Sequence, residues 1–219
     1  MYKYVFKRLI DCLLAFCGLI ILSPLFVILI AVGAVAMKGN PFFVQPRPGM
    51  NEDVFNLIKF RTMTCETDKN GTPLPDEVRL TKYGKFLRST SLDEIPELIN
   101  IFRGDMAIVG PRPLLVEYLP FYTKEEHRRH DIRPGLTGLA QVNGRNYMTW
   151  ERKFQLDLEY IDTMSFAGDF KILLQTVKVA MKTEEVETAS QIEHDGVIYR
   201  PLSVERAGKE NYNLVRNYH

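Results

Sequence analysis

The chain has 219 residues, of which 46% are hydrophobic and 25% are charged, so we expect one folded domain with its own core and exclude a disordered chain. Its 28 basic and 27 acidic residues leave a net charge of +1, which gives no reason to expect a nucleic-acid partner. The three cysteines form no Cys-x-x-Cys pair and are odd in number, which argues against a disulfide framework and favours a reducing compartment.

The N-terminal segment, residues 9–37, carries no charge except that of Asp11. As a straight helix it would be roughly 40 Å long, whereas the hydrocarbon core of a bilayer is ~30 Å thick. Pro24 follows Ser23 near its middle, and a proline inside a helix removes a backbone donor at a cost of ~3 kcal/mol, so we expect a kink there. The Ser23 hydroxyl can satisfy a backbone group that the kink frees.

Basic residues flank this segment on both sides: Lys3, Lys7 and Arg8 precede it, and Lys38, Arg47 and Lys59 follow it. Since basic flanks favour the cytoplasmic side, a helix that enters the membrane, bends at Ser23–Pro24 and leaves on the same face satisfies both flanks. The alternatives are a straight spanning helix, a signal peptide cleaved near residues 34–36, and a buried core helix. The segment is too long for a signal peptide, and a core helix would not be apolar on every face.

The rest of the chain predicts an α+β fold with short strands and amphipathic helices. We expect strands at residues 42–45 and 54–60, helices at 95–102, 150–161 and 166–182, and loops at 64–78 and 133–146. Gly104 ends the first of these helices, and the last, which carries three lysines, could lie on a membrane surface. Beyond residue 183 the chain is polar, with one weak strand pattern at 197–199.

An acidic pair, Asp93 and Glu94, is the first candidate for chemistry. Pro96 belongs in a first helical turn, so the pattern predicts a helix that starts near Asp93. Both carboxylates would then lie at a helix N-terminus, where the partial positive charge keeps a carboxylate ionised and attracts phosphate. The alternative is purely structural, because Ser91 and Glu94 have the spacing of a capping box and Asp93 could be an ordinary N-cap.

Arginines near the pair favour a polyanionic substrate. Arg88 precedes it, Arg112 stands between two prolines that fix the backbone, and Arg145 lies in the glycine-rich stretch. A carboxylate that attacks a diphosphate meets another anion, so a Mg²⁺ held by Asp93 and Glu94, together with these arginines, would neutralise the charge. The product would be an aspartyl phosphate ester, and the apolar N-terminal helix would bring the site to a lipid phosphate.

Two histidines, His127 and His130, are three residues apart and could suit a metal ion. Neither a cysteine nor a third histidine stands nearby, and Arg128 and Arg129 lie between them. The pattern therefore favours a solvated helix face over a zinc site.

The sequence resembles the monotopic phosphoglycosyl transferases, a family of bacterial sugar transferases, in its small single-domain form. The resemblance covers residues 1–183 and leaves 184–219 as an extension of unknown role. Its markers are Phe6-Lys-Arg-Leu-Ile-Asp11, Ser23–Pro24, Lys59-Phe-Arg-Thr-Met63, Arg88-Ser-Thr-Ser-Leu-Asp-Glu94, Gly104-Asp-Met106, Val109-Gly-Pro-Arg-Pro113, Arg133-Pro-Gly135 and Gln141-Val-Asn-Gly-Arg-Asn146.

The resemblance implies a re-entrant membrane helix over residues 1–38, broken at Ser23–Pro24, and a cytoplasmic catalytic domain over 39–183 at the bacterial inner membrane. It implies that Asp93 attacks the sugar-bearing phosphorus of a UDP-sugar and releases UMP, that Glu94 handles Mg²⁺ or a proton, and that polyprenyl phosphate then accepts the phospho-sugar. The phosphate-binding residues would be Lys59, Arg88 and Arg112, and Arg145 and Asp157 would share the pocket, with Arg145 nearer the nucleotide.

Several points stay open at the level of sequence. The resemblance leans toward an N-acetylated amino sugar without fixing the donor, and a homodimer is one option for the oligomeric state. A rival hypothesis is a membrane-tethered binding or scaffold protein in which Ser91 and Glu94 only cap a helix.

Overall fold

A computed structural model describes residues 2–144, 148–180, 192–194, 197–199 and 202–206. Its fold is α+β, with nine α-helices and six short strands in these parts of the chain. The helices are α1 (Lys7–Ile21), α2 (Ser23–Ala36), α3 (Asp76–Arg79), α4 (Lys82–Thr90), α5 (Glu97–Arg103), α6 (Leu139–Gly144), α7 (Trp150–Thr163), α8 (Phe166–Ala180) and α9 (Leu202–Glu205). The strands are β1 (Phe42–Pro48), β2 (Val54–Phe60), β3 (Ala107–Val109), β4 (Gly135–Thr137), β5 (Ile192–His194) and β6 (Val197–Tyr199).

The N-terminal helix is broken where the sequence predicts. Helices α1 and α2 meet at Leu22 with a bend of 64°, and Pro24 lies in the first turn of α2, where its missing N–H is tolerated. The Ser23 hydroxyl donates to the carbonyl of Ile20 at 2.8 Å, which satisfies a carbonyl that the break frees. Among the described helices none is long and apolar enough by itself to cross a membrane, whereas this bent pair has the length and composition to do so.

Two of the basic residues that precede this segment bind groups elsewhere in the fold. Lys7 is buried, and its Nζ lies 2.7 Å from a carboxylate oxygen of Asp169 in α8. Arg8 donates to the carbonyls of Ile101 and Phe102, at 2.6 and 2.8 Å, and so caps the C-terminal end of α5. These cations therefore fasten α1 to α5 and α8, a use that the sequence did not reveal.

Strands β1 and β2 form the predicted antiparallel hairpin, with Phe42 opposite Phe60 and Pro48 opposite Val54. The fully buried side chain of Asn100 lies against β2: its Oδ1 accepts from the Ile58 N–H at 3.0 Å and its Nδ2 donates to the Asn56 carbonyl at 2.8 Å. The amide thus replaces a neighbouring strand and joins α5 to β2.

Both arms of the bent helix pair pack on this hairpin. Ala15 of α1 is fully buried in a cluster with Leu57 and Ile101, and Leu29 of α2 is buried in a cluster with Phe60. Burial of such apolar surface, at about 25 cal/mol per Å², fixes the two arms on one domain.

The prediction of a loop over residues 133–146 is wrong in its central part. Residues Gly135–Thr137 form β4, which pairs in parallel with β3, and Leu139–Gly144 form α6, so Asn143–Gly144 is a helix end rather than a turn. The glycines allow the two backbones to approach closely, because a Cβ on Gly135 would lie 2.1 Å from the backbone nitrogen of Gly110. The helices predicted at 150–161 and 166–182 are confirmed as α7 and α8, and Gly104 ends α5 in a left-handed conformation (φ 104°).

The prediction of a solvated helix face is wrong for His130, whereas the side chain of His127 is 39% exposed. His130 is 6% exposed, its Nδ1 lies 3.0 Å from the carbonyl of Gly49, and burial together with the charge of Arg129 lowers the pKa of His130 to about 4. His127 contacts the carboxylate of Glu52. Within the described part of the chain, no group of three histidine, cysteine, aspartate or glutamate side chains is placed to hold a metal ion.

The described segments of the C-terminal extension pair with each other and pack against the domain. The strand predicted at Val197–Tyr199 exists as β6 and pairs antiparallel with β5, within the extension. Helix α9 follows, and its Leu202 is fully buried against the domain.

Helix α4, which carries Arg88, packs closely on the chain after β2, and this contact can be tested. A Cβ on Gly84 would lie 1.9 Å from the carbonyl oxygen of Thr62, whereas one on Gly39 would meet nothing within 4 Å. We expect Gly84→Ala to lower the free energy of unfolding by about 1–3 kcal/mol or more, although alanine is the better helix former. Thermal midpoints in detergent would measure this, with Gly39→Ala as the matched control; equal midpoints would contradict the packing.

Candidate active site

A cavity of about 1120 Å³ lies between the hairpin, α4, α5 and α7. Six of the seven residues predicted for catalysis or substrate binding line it: Lys59, Arg88, Asp93, Glu94, Arg112 and Asp157. The seventh, Arg145, lies outside the described residues. The sequence therefore identified residues that the fold brings together from β2, α4, α7 and two intervening turns.

The acidic pair lies on a single helical turn that precedes α5. Helix α4 ends at Thr90, Ser91 adopts a left-handed conformation (φ 55°), and Leu92–Glu94 form one 3₁₀ turn. The helix start predicted near Asp93 is therefore wrong, because α5 begins at Glu97. The capping-box alternative is wrong as well, since the Ser91 side chain makes no capping hydrogen bond.

Glu94 is held by two cations. Its Oε1 accepts from Lys59 Nζ at 2.8 Å and from Arg112 Nη2 at 2.9 Å. Burial by itself would raise the pKa of Glu94, but the charges of Arg112 and Lys59 outweigh it and hold that pKa at about 2. Glu94 is thus a fixed anion, and the charge of Glu94 in turn raises the pKa of Arg112.

Asp93 differs from its neighbour. Within the part of the chain that the structure describes, its carboxylate makes no hydrogen bond and no ion pair, although it faces the cavity. Burial is the main reason that the pKa of Asp93 is raised above its usual value, with the charge of Lys59 acting in the opposite direction. A partly desolvated carboxylate without a bound partner is available as a nucleophile.

Glu97 is a site residue that we did not select from the sequence. It is 3% exposed, and its Oε1 lies 3.0 Å from Lys59 Nζ, so Lys59 bridges Glu94 and Glu97. Burial raises the pKa of Glu97 to about 7; Lys59 opposes this effect and the charge of Glu94 adds to it. Burial by itself would lower the pKa of Lys59, but Glu94 and the other carboxylates raise it, so the lysine stays charged. The sequence did offer a reason to select Glu97, because it directly follows Pro96 and lies three residues beyond Glu94.

Arg88 is presented to the cavity by α4. Its Nε donates to Thr62 Oγ1 at 3.0 Å, which is the single hydrogen bond of this guanidinium among the described residues. Within the described residues the terminal nitrogens of Arg88 have no hydrogen-bond partner, and the binding of phosphate by Arg88 stays a prediction.

Arg112 and Asp157 are connected by a buried arginine that the sequence did not single out. Arg129 donates to Asp157 at 2.8 Å and, from the same nitrogen, to the carbonyl of Arg112 at 2.8 Å. A buried charge needs a partner, and Asp157 supplies it. Arg128 and Arg129 are adjacent and chemically identical. The sequence therefore could not show that Arg129 would be buried and Arg128 exposed. The substrate-binding role of Asp157 stays a prediction.

The pair Asp93 and Glu94 also meets the requirement for Mg²⁺. This ion is usually held by one or two carboxylates together with substrate phosphates, rather than by a complete protein cage. Asp93 has free carboxylate oxygens, and the Oε2 atom of Glu94 is likewise not used by Lys59 or Arg112. The residues present fit the ion, with a diphosphate needed to complete its shell.

The raised pKa of Glu97 predicts a pH dependence of stability. Between pH 4.5 and about 7 the folded protein keeps a proton on Glu97 that the unfolded chain has lost, so Glu97 contributes a fall in stability as the pH rises through this window, opposed below pH 6.5 by the rise that the lowered pKa of His130 contributes. We expect Glu97→Gln to reduce this fall. Thermal midpoints across the window, measured with a chelator present, test it. Glu66→Gln, at an exposed glutamate, is the control and should keep the wild-type slope; an unchanged slope in Glu97→Gln would contradict the assignment.

Comparison with known proteins identifies the family. The model of the family "Bacterial sugar transferase" matches residues 2–183. The sugar transferase EpsL of Bacillus subtilis is 47% identical over 188 residues, which cover 86% of this chain and 93% of EpsL.

Two longer relatives have more specific names. The galactosyl transferase CpsE of Streptococcus agalactiae is 36% identical over 198 residues, covering 82% of this chain and 44% of the relative. The UDP-glucose:undecaprenyl-phosphate glucose-1-phosphate transferase of Klebsiella pneumoniae is 39% identical over 188 residues, covering 79% of this chain and 39% of the relative. The chain therefore spans less than half the length of these two proteins. On this similarity, the chain belongs to the bacterial sugar transferase family and is a phosphoglycosyl transferase rather than a tethered scaffold.

Proposed function

We propose that this enzyme transfers a sugar 1-phosphate from a UDP-sugar to polyprenyl phosphate through a covalent intermediate on Asp93. The observation that carries the proposal is the contrast within the acidic pair: Glu94 is fixed by two cations, while the Asp93 carboxylate faces the cavity without a partner among the described residues.

The proposed reaction has two displacements at one phosphorus atom. A carboxylate oxygen of Asp93 forms a bond to the sugar-bearing phosphorus, and the bond from that phosphorus to the bridging oxygen breaks, so that UMP leaves with the electron pair. A phosphate oxygen of polyprenyl phosphate then attacks the same phosphorus and expels the Asp93 carboxylate. The products are polyprenyl-diphosphate-sugar and the regenerated enzyme, the expected first membrane step of glycoconjugate synthesis.

Charge neutralisation is the main task of the surrounding residues, because both displacements bring anions together. Arg88 and Arg112 would bind phosphate oxygens, with Lys59 adding positive charge from behind Glu94. Asp93 and Glu94 would hold Mg²⁺, which when bound supplies Lewis-acid stabilisation of the phosphoryl oxygens. Arg145 and Asp157 are proposed for the donor side of the pocket.

The relatives support the substrate classes without choosing the sugar. The name of the Klebsiella protein states a UDP-sugar donor and an undecaprenyl phosphate acceptor, and that of CpsE states a galactosyl transfer. Because the two names differ in the sugar, we propose the class of donor, a UDP-sugar, and leave the hexose to a substrate screen.

The membrane arrangement is proposed from the packing of the bent helix pair. Arg8 of α1 caps α5, and near the other end the carbonyl of Leu29 in α2 accepts from the Tyr83 hydroxyl at 2.8 Å. Since both arms bind the same domain, a bilayer has no room between one arm and that domain. Exposed apolar side chains such as Leu13 and Val35 would enter the lipid instead. We therefore propose a re-entrant segment at the inner membrane with the domain on the cytoplasmic face, and retain 1–38, 39–183 and 184–219 as the division of the chain.

The proposed nucleophile is tested by Asp93→Asn. We expect turnover, measured as UMP release from UDP-sugars in the presence of polyprenyl phosphate and Mg²⁺, to fall by roughly 10³-fold or more, because removal of a nucleophile costs catalysis of that order. A donor labelled in the sugar phosphate should label the wild-type protein at residue 93. The control Asp53→Asn changes an exposed carboxylate near the hairpin turn and should keep full turnover. Full turnover in Asp93→Asn would refute the covalent route.

The proposed topology is tested by cysteine labelling. In a background with Cys12, Cys17 and Cys65 replaced, single cysteines at Lys3 and Asn40 should both react with an impermeant maleimide from the cytoplasmic face only, because both ends of a re-entrant segment lie on one side. The labelling is carried out on inverted and on right-side-out vesicles, which expose opposite faces of the membrane to the maleimide. Labelling of the two positions from opposite faces would establish a spanning helix.

A further inference from the structure

The C-terminal extension, which the family model does not match beyond residue 183, returns to the wall of the cavity. Leu202 in α9 is fully buried in an aromatic cluster with Tyr118, Phe121, Tyr122 and Phe154. Burial of a leucine side chain is favourable and helps to hold a short segment in place.

Arg206, directly after α9, makes the second attachment. It forms a two-pronged ion pair with Glu126, at 2.7 Å from each guanidinium nitrogen, and one of these nitrogens also donates to the carbonyl of Phe121 at 2.6 Å. Arg206 is 8% exposed and Glu126 is 9% exposed. Burying two charges is costly unless geometry and hydrogen bonds are good, and both conditions are met here. The attachment is therefore specific.

This attachment lies directly behind residues that line the cavity. Trp150, Lys153, Phe154 and Asp157 of α7 line it, at the spacing of one helix face. The ring of Phe154 lies between two guanidinium groups, with the carbon of Arg206 at 5.4 Å from its centroid and that of Arg129 at 5.5 Å.

A continuous set of contacts thus runs from the extension to the site. Arg206 packs on Phe154, Phe154 packs on Arg129, and Arg129 binds Asp157 and the carbonyl of Arg112. Arg112 in turn binds Glu94.

The side chains that line the cavity differ in character. They include Leu22, where the bent helix pair breaks, and this apolar residue suits a lipid acceptor. They also include Trp150 and Lys153, with the Lys153 Nζ 4.5 Å from the centroid of the Trp150 ring. An aromatic side chain beside a cation suits the base and phosphate of a nucleotide.

We propose that residues 202–206 position the nucleotide-binding wall of the pocket, and that Arg206 is a positioning residue for the UDP-sugar donor. The proposal rests on the donor class proposed above. The segment acts through Phe154 and Arg129, touches no substrate itself, and has no proposed contact with the polyprenyl phosphate.

Arg206→Met tests the proposal in the full-length enzyme. The donor KM should rise by about twofold to thirtyfold, the range that residues without ligand contact can exert on binding, while kcat at saturating donor and the KM for polyprenyl phosphate stay unchanged. Arg206→Lys, which keeps one charge-assisted contact, should restore part of the donor affinity. Arg128→Met is the matched control, since Arg128 is a neighbouring surface arginine paired with Glu125 and Asp162, and it should keep wild-type kinetics.

Trp150 supplies a readout that does not depend on turnover, because it is the one tryptophan in the sequence. Titration of UMP into the enzyme should change its fluorescence, and the dissociation constant should rise in Arg206→Met by the same factor as the donor KM. The double variant Glu126→Gln/Arg206→Met removes both buried charges, so no unpaired carboxylate destabilises the fold. It should show the same loss of UMP affinity.

Two results would overturn the proposal: a folded double variant with wild-type UMP affinity, or a loss in which kcat and acceptor KM worsen together with donor KM. Failure of the proposed function is distinguishable from either. It would appear as absence of UMP release by the wild-type enzyme or as full turnover by Asp93→Asn. The fluorescence titration of Trp150 with UMP would still show whether Arg206 affects UMP binding.

Discussion

The ion pairs of Glu94 are the interaction on which the site depends. One carboxylate oxygen accepts from Lys59 on the hairpin and from Arg112 between its two prolines, so a single atom joins two separate parts of the fold. Lys59 and Glu94 are partly buried, and each charge would be more costly there without its partner. Glu97 binds the same lysine and completes the cluster. With Glu94 immobilised in this way, the adjacent Asp93 faces the cavity without an ion-pair partner among the described residues.

Local chemistry determined what the sequence could predict. Pro24 broke the N-terminal helix, and the apolar spacing around Phe154 and Leu158 marked α7, because both effects act within a few residues. The family motifs then located Lys59, Arg88 and Arg112. Their roles toward substrate remain proposals, but their convergence on one cavity is a property of the fold.

Tertiary pairing determined what the sequence could not predict. Pro96 suggested that the helix begins three residues before it, yet a separate 3₁₀ turn intervenes and α5 starts at Glu97. Lys7 looked like a membrane flank and is instead buried against Asp169. Arg129 acquires its importance only when α7 brings Asp157 to it. For Lys7 and Arg129 the partner is distant in sequence, and at Pro96 the folded structure differs from what the local pattern predicts.

The Asn100 amide has a consequence for how molecules of this protein can meet. A two-stranded ladder normally offers open edges to which another chain can add. Here Asn100 occupies backbone groups on the outer side of β2, the N–H of Phe42 is taken by the Asn40 side chain, and Pro46 and Pro48 have no N–H to offer along β1. The hairpin is thereby protected against recruitment into a larger sheet, and self-association of the enzyme through the edges of this hairpin is disfavoured.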